Sequence, residues 1–372
     1  MSKKPASAPP ICRSNIHDLV PYVPGKPIEE VEREYGITDI IKLASNENPY
    51  GPSPRVVEAM KKALDNVRLY PDGSCYALTK RLSEHLNVPT DHIVVGNGSD
   101  EIIHYLGIAY LEPGDEVVQA HPSFVRYEAA AILNGCQCIQ VPLKDYTHDL
   151  DAMADAVTPR TKLLFITNPN NPTGTIVTRS AVDRLLDRIP ERVLVVMDEA
   201  YYEYVEDPEY PDSLAYIREG RNVISLRTFS KIFALAGLRV GYGIARPEII
   251  WAIHQVREPF NVNSIAQVGA IACLDDPDQV ERGRRVNRDG RTYLYAVCER
   301  LGLPYVPSQA NFVFIDVKAD SRVVFQELLR RGVIVRTGDI FGHPTHLRVT
   351  VGTPEENARF VRALEEVLAA LK

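Results

Sequence analysis

The stretch Val223-Ile224-Ser225-Leu226-Arg227-Thr228-Phe229-Ser230-Lys231, continuing Ile232-Phe233-Ala234-Leu235-Ala236-Gly237-Leu238-Arg239, decides how the chain is read. Its apolar start reads as a strand, so hydroxyls and a lysine fall where that strand ends. In an open α/β sheet this edge is where ligands bind. A lysine held away from water there loses hydration, which disfavours its charged form and leaves the amine usable as nucleophile or base. Thr228, Ser230 and the Arg239 guanidinium are groups that hold a phosphate. A lysine beside a phosphate cradle points to a covalent bond with a phosphorylated aldehyde, pyridoxal phosphate. By itself a Ser-Lys pair after a strand is an ordinary turn, so the reading depends on the other parts such a cofactor needs.

Outward from this strand the chain alternates. Strands are expected at Ile93 to Val95, Glu116 to Gln119, Cys138 to Val141, Thr161 to Ile166, Arg192 to Met197 and Val240 to Ile244. Helices are expected at Ser99 to Leu111, Phe124 to Asn134 and Thr178 to Arg188. Short apolar runs alternating with amphipathic helices predict an α/β fold, a mostly parallel central sheet with helices on both faces. Ahead of it, Ile16 to Pro54 reads as an arm with a helical patch near Ile28 to Tyr35, followed by helices at Val56 to Leu64 and Ser74 to Leu86. Behind it come a helix from Glu248 to Val256, a break at Pro259-Phe260-Asn261 and a long charged helix through the Arg284 to Arg300 region. Strands at Asn311 to Asp316, Val333 to Arg336 and His346 to Val351, a helix at Ser321 to Arg331 and a closing helix from Pro354 predict a smaller α/β domain. The expected division is 1–45 as arm and part of the small domain, 46–262 as the large cofactor-binding domain and 263–372 as the small C-terminal domain.

Composition narrows the function classes. With 372 residues, 45% hydrophobic and 24% charged, the chain is ordinary for a globular protein. A net charge of −7 offers no footprint for a polyanion, so no nucleic acid is expected as a partner. The six cysteines are scattered and fit a reducing compartment. The first ten residues carry lysines but no apolar core after them, unlike a signal peptide. No apolar run approaches the about 18 residues needed to span a bilayer. A soluble, cytoplasmic protein is expected, with no membrane partner.

Three further motifs sit at strand ends. Gly96-Asn97-Gly98-Ser99-Asp100-Glu101 joins a strand to a helix, where glycines allow close approach and free amides attract an anion. As a dinucleotide fingerprint it fails, because Glu101 stands where the third glycine is needed. Asn168-Pro169-Asn170-Asn171-Pro172-Thr173-Gly174 reads as a rigid turn that would fix an amide at the ligand edge, with Asn171 able to bond a phenolic oxygen. Asp198-Glu199-Ala200-Tyr201 offers a carboxylate to keep a pyridine nitrogen protonated, and Tyr201 is within reach of the ring hydroxyl. His343 and His346 read as loop histidines near the mouth, and no metal site is expected.

Asn-Asn-Pro-Thr-Gly, Asp-Glu-Ala-Tyr, Ser-Lys and Arg239, in this order, resemble the fold-type-I, class-II pyridoxal-phosphate aminotransferases. More narrowly, Leu43 to Gly51, Tyr70-Pro71-Asp72, Gly98 to Glu101, Ala234 to Arg239 and Leu347 to Gly352 resemble the histidinol-phosphate aminotransferase branch, from about Ile16 onward. The resemblance implies that Lys231 bonds the cofactor, Asp198 pairs with its ring nitrogen, and Asn171 and Tyr201 bind its ring oxygen. It implies a phosphate site made by Ser99 and Asp100 through their loop amides, with Ser230, Thr228 and Arg239. Phe124 falls where the family has a stacking tyrosine. Tyr70 matches a tyrosine that reaches the neighbouring subunit's cofactor phosphate, which implies a homodimer with shared active sites. For the substrate, Arg336 and Arg348 match arginines that hold the carboxylates of glutamate or 2-oxoglutarate and the phosphate of histidinol phosphate. Tyr22 and Asn261 match substrate-facing positions. The implied activity is a ping-pong transamination in histidine biosynthesis. An aromatic-amino-acid aminotransferase and a threonine-phosphate decarboxylase are the rivals on the same scaffold. A cofactor-binding regulator would carry a basic helix-turn-helix, and none is expected ahead of the arm.

Overall fold

The computed structural model describes residues 12–19, 21 and 25–371. The central sheet has seven strands: β1 (Ile93–Gly96), β2 (Glu116–His121), β3 (Gln137–Pro142), β4 (Thr161–Thr167), β5 (Leu194–Asp198), β6 (Val223–Thr228) and β7 (Gly241–Ile244). They lie in the order β1-β7-β6-β5-β4-β2-β3. Neighbours from β6 through β3 are parallel, while β7 runs antiparallel to both β6 and β1.

Alternation along these strands feeds two separate cores. Leu164, Ile166, Val195 and Met197 pack on one face with the helices Tyr76–Leu86, Arg179–Arg188 and Ser264–Leu274. Leu163, Phe165, Leu194 and Val196 pack on the other with Ser99–Tyr110, Arg126–Leu133 and Pro247–Val256. A strand covered on both faces has no polar side, which is why these runs read as continuous aliphatics.

The smaller unit has Phe312–Asp316 paired antiparallel with Tyr305–Val306 and His346–Thr350. Its core, around Val313, Ile315, Leu347 and Val349, takes residues from the helices Pro277–Leu301, Ser321–Leu329 and Pro354–Ala370. The last of these opens with a capping box between Thr353 and Glu356.

The structure corrects several expected elements. The run Val333 to Arg336 divides: Val333–Ile334 pairs in parallel with Ile41–Lys42, and Arg336–Thr337 pairs antiparallel with His346–Thr350. The helix expected from Ser74 starts at Tyr76, because the Asp72 carboxylate takes the Ser74 and Tyr76 amides. The long charged helix starts at Pro277, before the Arg284 region. Ser264–Leu274 is a helix that sequence periodicity misses, since burial on most sides leaves no polar stripe. Among the described residues, no helix is long and apolar enough to cross a membrane, and no group of three or more His, Cys, Asp or Glu is placed to hold a metal.

One contact ties the sheet to the ligand edge. A Cβ on Gly241 would stand 2.6 Å from the Ser99 nitrogen and 2.8 Å from the Arg227 carbonyl oxygen, so β7 and the start of Ser99–Tyr110 meet backbone to backbone. We expect Gly241→Ala to cost about 1–3 kcal/mol, the usual range for overpacking. Gly237→Ala, with nothing within 4 Å of its added Cβ, should stay within about 0.5 kcal/mol. Denaturant unfolding of both variants checks this, and equal losses would refute the close-approach account.

Candidate active site

A cavity of about 240 Å³ opens where β4, β5 and β6 end and the segment 45–47 crosses. Lys231, Asp198, Tyr201, Asn171 and Phe124 line it, as do Ser99, Asp100, Thr228, Ser230, Arg239 and Arg348.

Lys231 follows β6, and its Nζ donates to the Ser45 carbonyl at 3.2 Å and lies 5.6 Å from the Tyr201 ring centre. Burial, and after it the charge of Arg348, pulls its amine down from 10.5 to about 8, against Glu47 and Asp100. Asp198 closes β5 at 3% exposure and accepts from the Tyr127 hydroxyl at 2.7 Å and the Ala200 amide at 3.2 Å. Burial pushes its carboxyl up to about 6, with the Tyr127 hydrogen bond working the other way. A carboxyl in that state gains its charge readily once a cation is placed against it.

The phosphate cradle is built on backbone geometry. Gly98, at φ +78, precedes the helix Ser99–Tyr110, and a Cβ there would lie 2.6 Å from Arg239 Nη2. Only glycine lets the guanidinium pass over the free amides of that helix start. Arg239 donates to Ser230 Oγ at 3.3 Å and to Asp100 Oδ2 at 3.2 Å. Thr228 Oγ1 donates to Ser230 Oγ at 2.9 Å and accepts the Ser230 amide at 3.1 Å, which folds the turn between β6 and the lysine.

The opposite wall carries polar groups and one ring. Arg348 Nη1 donates to Asn171 Oδ1 at 2.5 Å and Nη2 to the Ala44 carbonyl at 2.6 Å. Asn170, the neighbouring amide, is turned inward onto Thr173 at 2.9 Å and Ser123 at 2.9 Å, so the turn presents Asn171. Phe124 sets its ring edge-on to Tyr127 at 5.6 Å and gives the cavity a flat apolar face.

Other expected residues lie elsewhere. Arg336 stands opposite Arg348 in the strand pair but is not among the residues lining the cavity. Asn261 is held by Arg257 at 2.7 Å and donates to Glu101 at 2.5 Å, beside an outer cleft shared with Phe260. Tyr70 is 83% exposed and stacks on Phe260 at 4.8 Å. Tyr22 lies outside the described residues. His343 and His346 pack around Phe314 at 5.4 and 4.7 Å.

Sequence reading missed Tyr127 and gave no role to Ser45, Asn46 and Glu47. Tyr127 opens an alanine-rich helix and reads as core; only the fold brings its hydroxyl to Asp198. The motif Leu43 to Gly51 marked the second group without saying what it touches.

Pyridoxal phosphate fits these residues on the structure's own terms. The glycine-cleared cradle under Arg239 suits its phosphate, the desolvated Asp198 suits a ring cation, and the half-buried Lys231 supplies an amine of lowered basicity.

The sequence matches the family model of aminotransferase class I and II over residues 38–364. It is 57% identical over 368 residues to a histidinol-phosphate aminotransferase of Moorella thermoacetica, covering 99% of this chain and 95% of that one. A histidinol-phosphate aminotransferase of Caldicellulosiruptor saccharolyticus is 48% identical, with 96% and 99% covered. The crystal structure of histidinol-phosphate aminotransferase from Sinorhizobium meliloti in complex with pyridoxal-5'-phosphate superposes with a TM-score of 0.91 at 28% identity, over 98% of this chain and 100% of that one. The matched span takes in every residue that lines the cavity, and the chain therefore belongs to the aminotransferase class I and II family.

Proposed function

We propose that the protein is a histidinol-phosphate aminotransferase of L-histidine biosynthesis. It moves the amino group of histidinol phosphate to 2-oxoglutarate in two half-reactions, yielding imidazole-acetol phosphate and glutamate, with pyridoxal phosphate as cofactor. The observation that carries the reading is Arg348, a guanidinium in the same cavity as Lys231 and bonded to Asn171. Near-full-length relatives of that name support the choice of substrate.

In this reading the cofactor, when bound, supplies an electron sink. Arg239, Ser230, Thr228 and the amides of Ser99 and Asp100 hold its phosphate. The Asp198 carboxylate keeps the ring nitrogen protonated, and Tyr127 keeps that carboxylate in place. Tyr201 and Asn171 hold the ring oxygen, and Phe124 covers the ring face. Lys231 Nζ would hold the cofactor and, as a free amine of lowered basicity, would take up the proton from the substrate's Cα. Arg348 fixes the substrate anion, with Arg336 on the adjoining strand as a second cation and Tyr22 as a further substrate group, while Asn261, bonded to Arg257 and Glu101 in the outer cleft, takes no part in holding the substrate.

The proposal includes a cytoplasmic homodimer built from an arm (1–45), a large domain (46–262) and a small domain (263–372), with Ser264–Leu274 packing back on the large domain's core. Exposed Val67, Leu69 and Tyr70, at 58%, 53% and 83%, give the outer surface an apolar strip on which a second copy would set Tyr70 into its neighbour's site.

Transamination of aromatic amino acids on the same scaffold is the second reading. The deciding measurement is kcat/KM for histidinol phosphate against phenylalanine and tyrosine, each with 2-oxoglutarate. We expect histidinol phosphate to win by at least about 10-fold, since phenylalanine and tyrosine offer the same arginine a carboxylate with less charge and one fewer oxygen than a phosphate, a difference of one charge-assisted bond of about 1.5–3 kcal/mol. Equal turnover would move the role to aromatic metabolism.

Lys231 also gives a pH test. Its amine is protonated and inert below about 8 and neutral above it, so covalent capture of pyridoxal phosphate by the cofactor-free protein should quicken with pH and level off above about 8. A rise that continues toward the ordinary 10.5 would refute the lowered value. Shared sites are checked by mixing inactive Tyr70→Ala and Lys231→Ala chains. Verified heterodimers have one intact site of two if Tyr70 acts across the interface, and should regain about half of the wild-type activity per dimer; no recovery refutes it.

A further inference from the structure

Three successive residues touch three side chains of the site. The Ala44 carbonyl accepts from Arg348 at 2.6 Å, the Ser45 carbonyl accepts from Lys231 at 3.2 Å, and Asn46 Nδ2 donates to the Tyr201 hydroxyl oxygen at 2.9 Å. Asn46 is 1% exposed and left-handed at φ 56, a conformation asparagine tolerates better than most residues.

The rest of Asn46 is bonded to the small domain. Its amide N–H donates to Thr350 Oγ1 at 3.0 Å, Thr350 Oγ1 donates back to Asn46 Oδ1 at 3.0 Å, and Asn311 Nδ2 donates to its carbonyl at 3.0 Å. Thr350 Oγ1 accepts the backbone N–H and gives its own proton to Oδ1, and with the oxygen end of the side-chain amide so engaged the nitrogen faces Tyr201.

We propose that Asn46 is a positioning residue, which holds the Tyr201 phenol oxygen as an acceptor and thereby strengthens that phenol as a donor to the cofactor's ring oxygen. The inference rests on the reading of Tyr201 given above. An oxygen that accepts one hydrogen bond donates the next more strongly, and more so at low local dielectric. Through Thr350 and Asn311 the same side chain ties the phenol to the domain that carries Arg348, so the cofactor side and the substrate side share one polar link.

Asn46→Gly isolates this link. Glycine keeps the left-handed backbone and both backbone hydrogen bonds and removes only the amide. The titratable groups around the phenol stay in place: Lys231 at 5.6 Å, Tyr204, and the Arg348, Glu47, Asp100 and Arg239 that act on Lys231.

The readout is the visible absorbance of the cofactor-loaded enzyme titrated against pH. Donation from Tyr201 to the ring oxygen competes with the proton which that oxygen shares with the lysine-bound nitrogen. A weaker Tyr201 therefore leaves the proton bound to higher pH, and the midpoint should rise by about half to one unit in Asn46→Gly. In a Tyr201→Phe background the same substitution should move it no further. Should Asn46→Gly not fold, Thr350→Val, which frees the amide to rotate, is expected to shift the midpoint in the same direction by less. A band lost in Lys231→Ala but unmoved by Asn46→Gly or Thr350→Val overturns the proposal alone, as does an equal further shift in the Tyr201→Phe background. A band that persists in Lys231→Ala overturns the reading of the site, and the proposal with it.

Discussion

Glu199 and Arg227 pair at 2.9 Å with side chains 0% and 4% exposed, and the ends of β5 and β6 are held by that contact. Ser213 and Ser225 add hydroxyls to the same carboxylate oxygen at 2.9 and 2.6 Å, and the Arg227 guanidinium lies 3.6 Å from the Tyr202 ring centre. Breaking such a buried pair leaves an unpaired charge in the interior and costs about 3–5 kcal/mol. Its position in the chain gives it wider weight. Glu199 follows Asp198, and Arg227 precedes Thr228, so the ion pair reinforces the spacing that the β5–β6 ladder gives the carboxylate and the turn that leads to Lys231. A site that must hold a ring nitrogen and a phosphate at once depends on that spacing.

The second constraint is the seam between the seven-stranded sheet and the smaller sheets. The segment 44–46 leaves the small sheet, where the Leu43 amide donates to the Ile334 carbonyl at 2.7 Å, and runs across the ligand edge of the large one. The Gly174 carbonyl, in the turn that carries Asn171, takes the Gln309 amide at 2.8 Å. The Asn171 turn and Arg348 are thereby joined both directly and through the backbone. Displacement of the segment 44–46 would be felt at Lys231, Tyr201 and Arg348 together, since all three bond it.

Much of this was legible beforehand because the chemistry is local. The lysine after a strand, the glycine turn before a helix, and the aspartate ending an aliphatic run are each short patterns with one physical use, and Lys231, Ser99 and Asp198 meet in one cavity. Val333 to Arg336 was misread because four apolar or long residues in a row carry no sign of where the chain changes partner. Ser264–Leu274 escaped because burial on most sides removes the stripe that marks a helix. Tyr127 escaped for a related reason: an aromatic on a buried helix looks like core until its hydroxyl is seen against a carboxylate.

The sequence by itself determined the α/β class, the cofactor chemistry and most groups that line the site, since strand burial, turn chemistry and ligand type are written in residue identities a few positions apart. Only the tertiary structure decided how those groups act on one another. It placed Arg348 against Asn171, Asn46 against Tyr201 and Tyr127 against Asp198, pairs separated by 177, 155 and 71 positions. It also left Tyr70 exposed and Asn261 outside the cavity. The physical reason is that a hydrogen bond is decided within about 3 Å and a shift in basicity within a few more, and no spacing along a chain specifies such distances before the chain has packed.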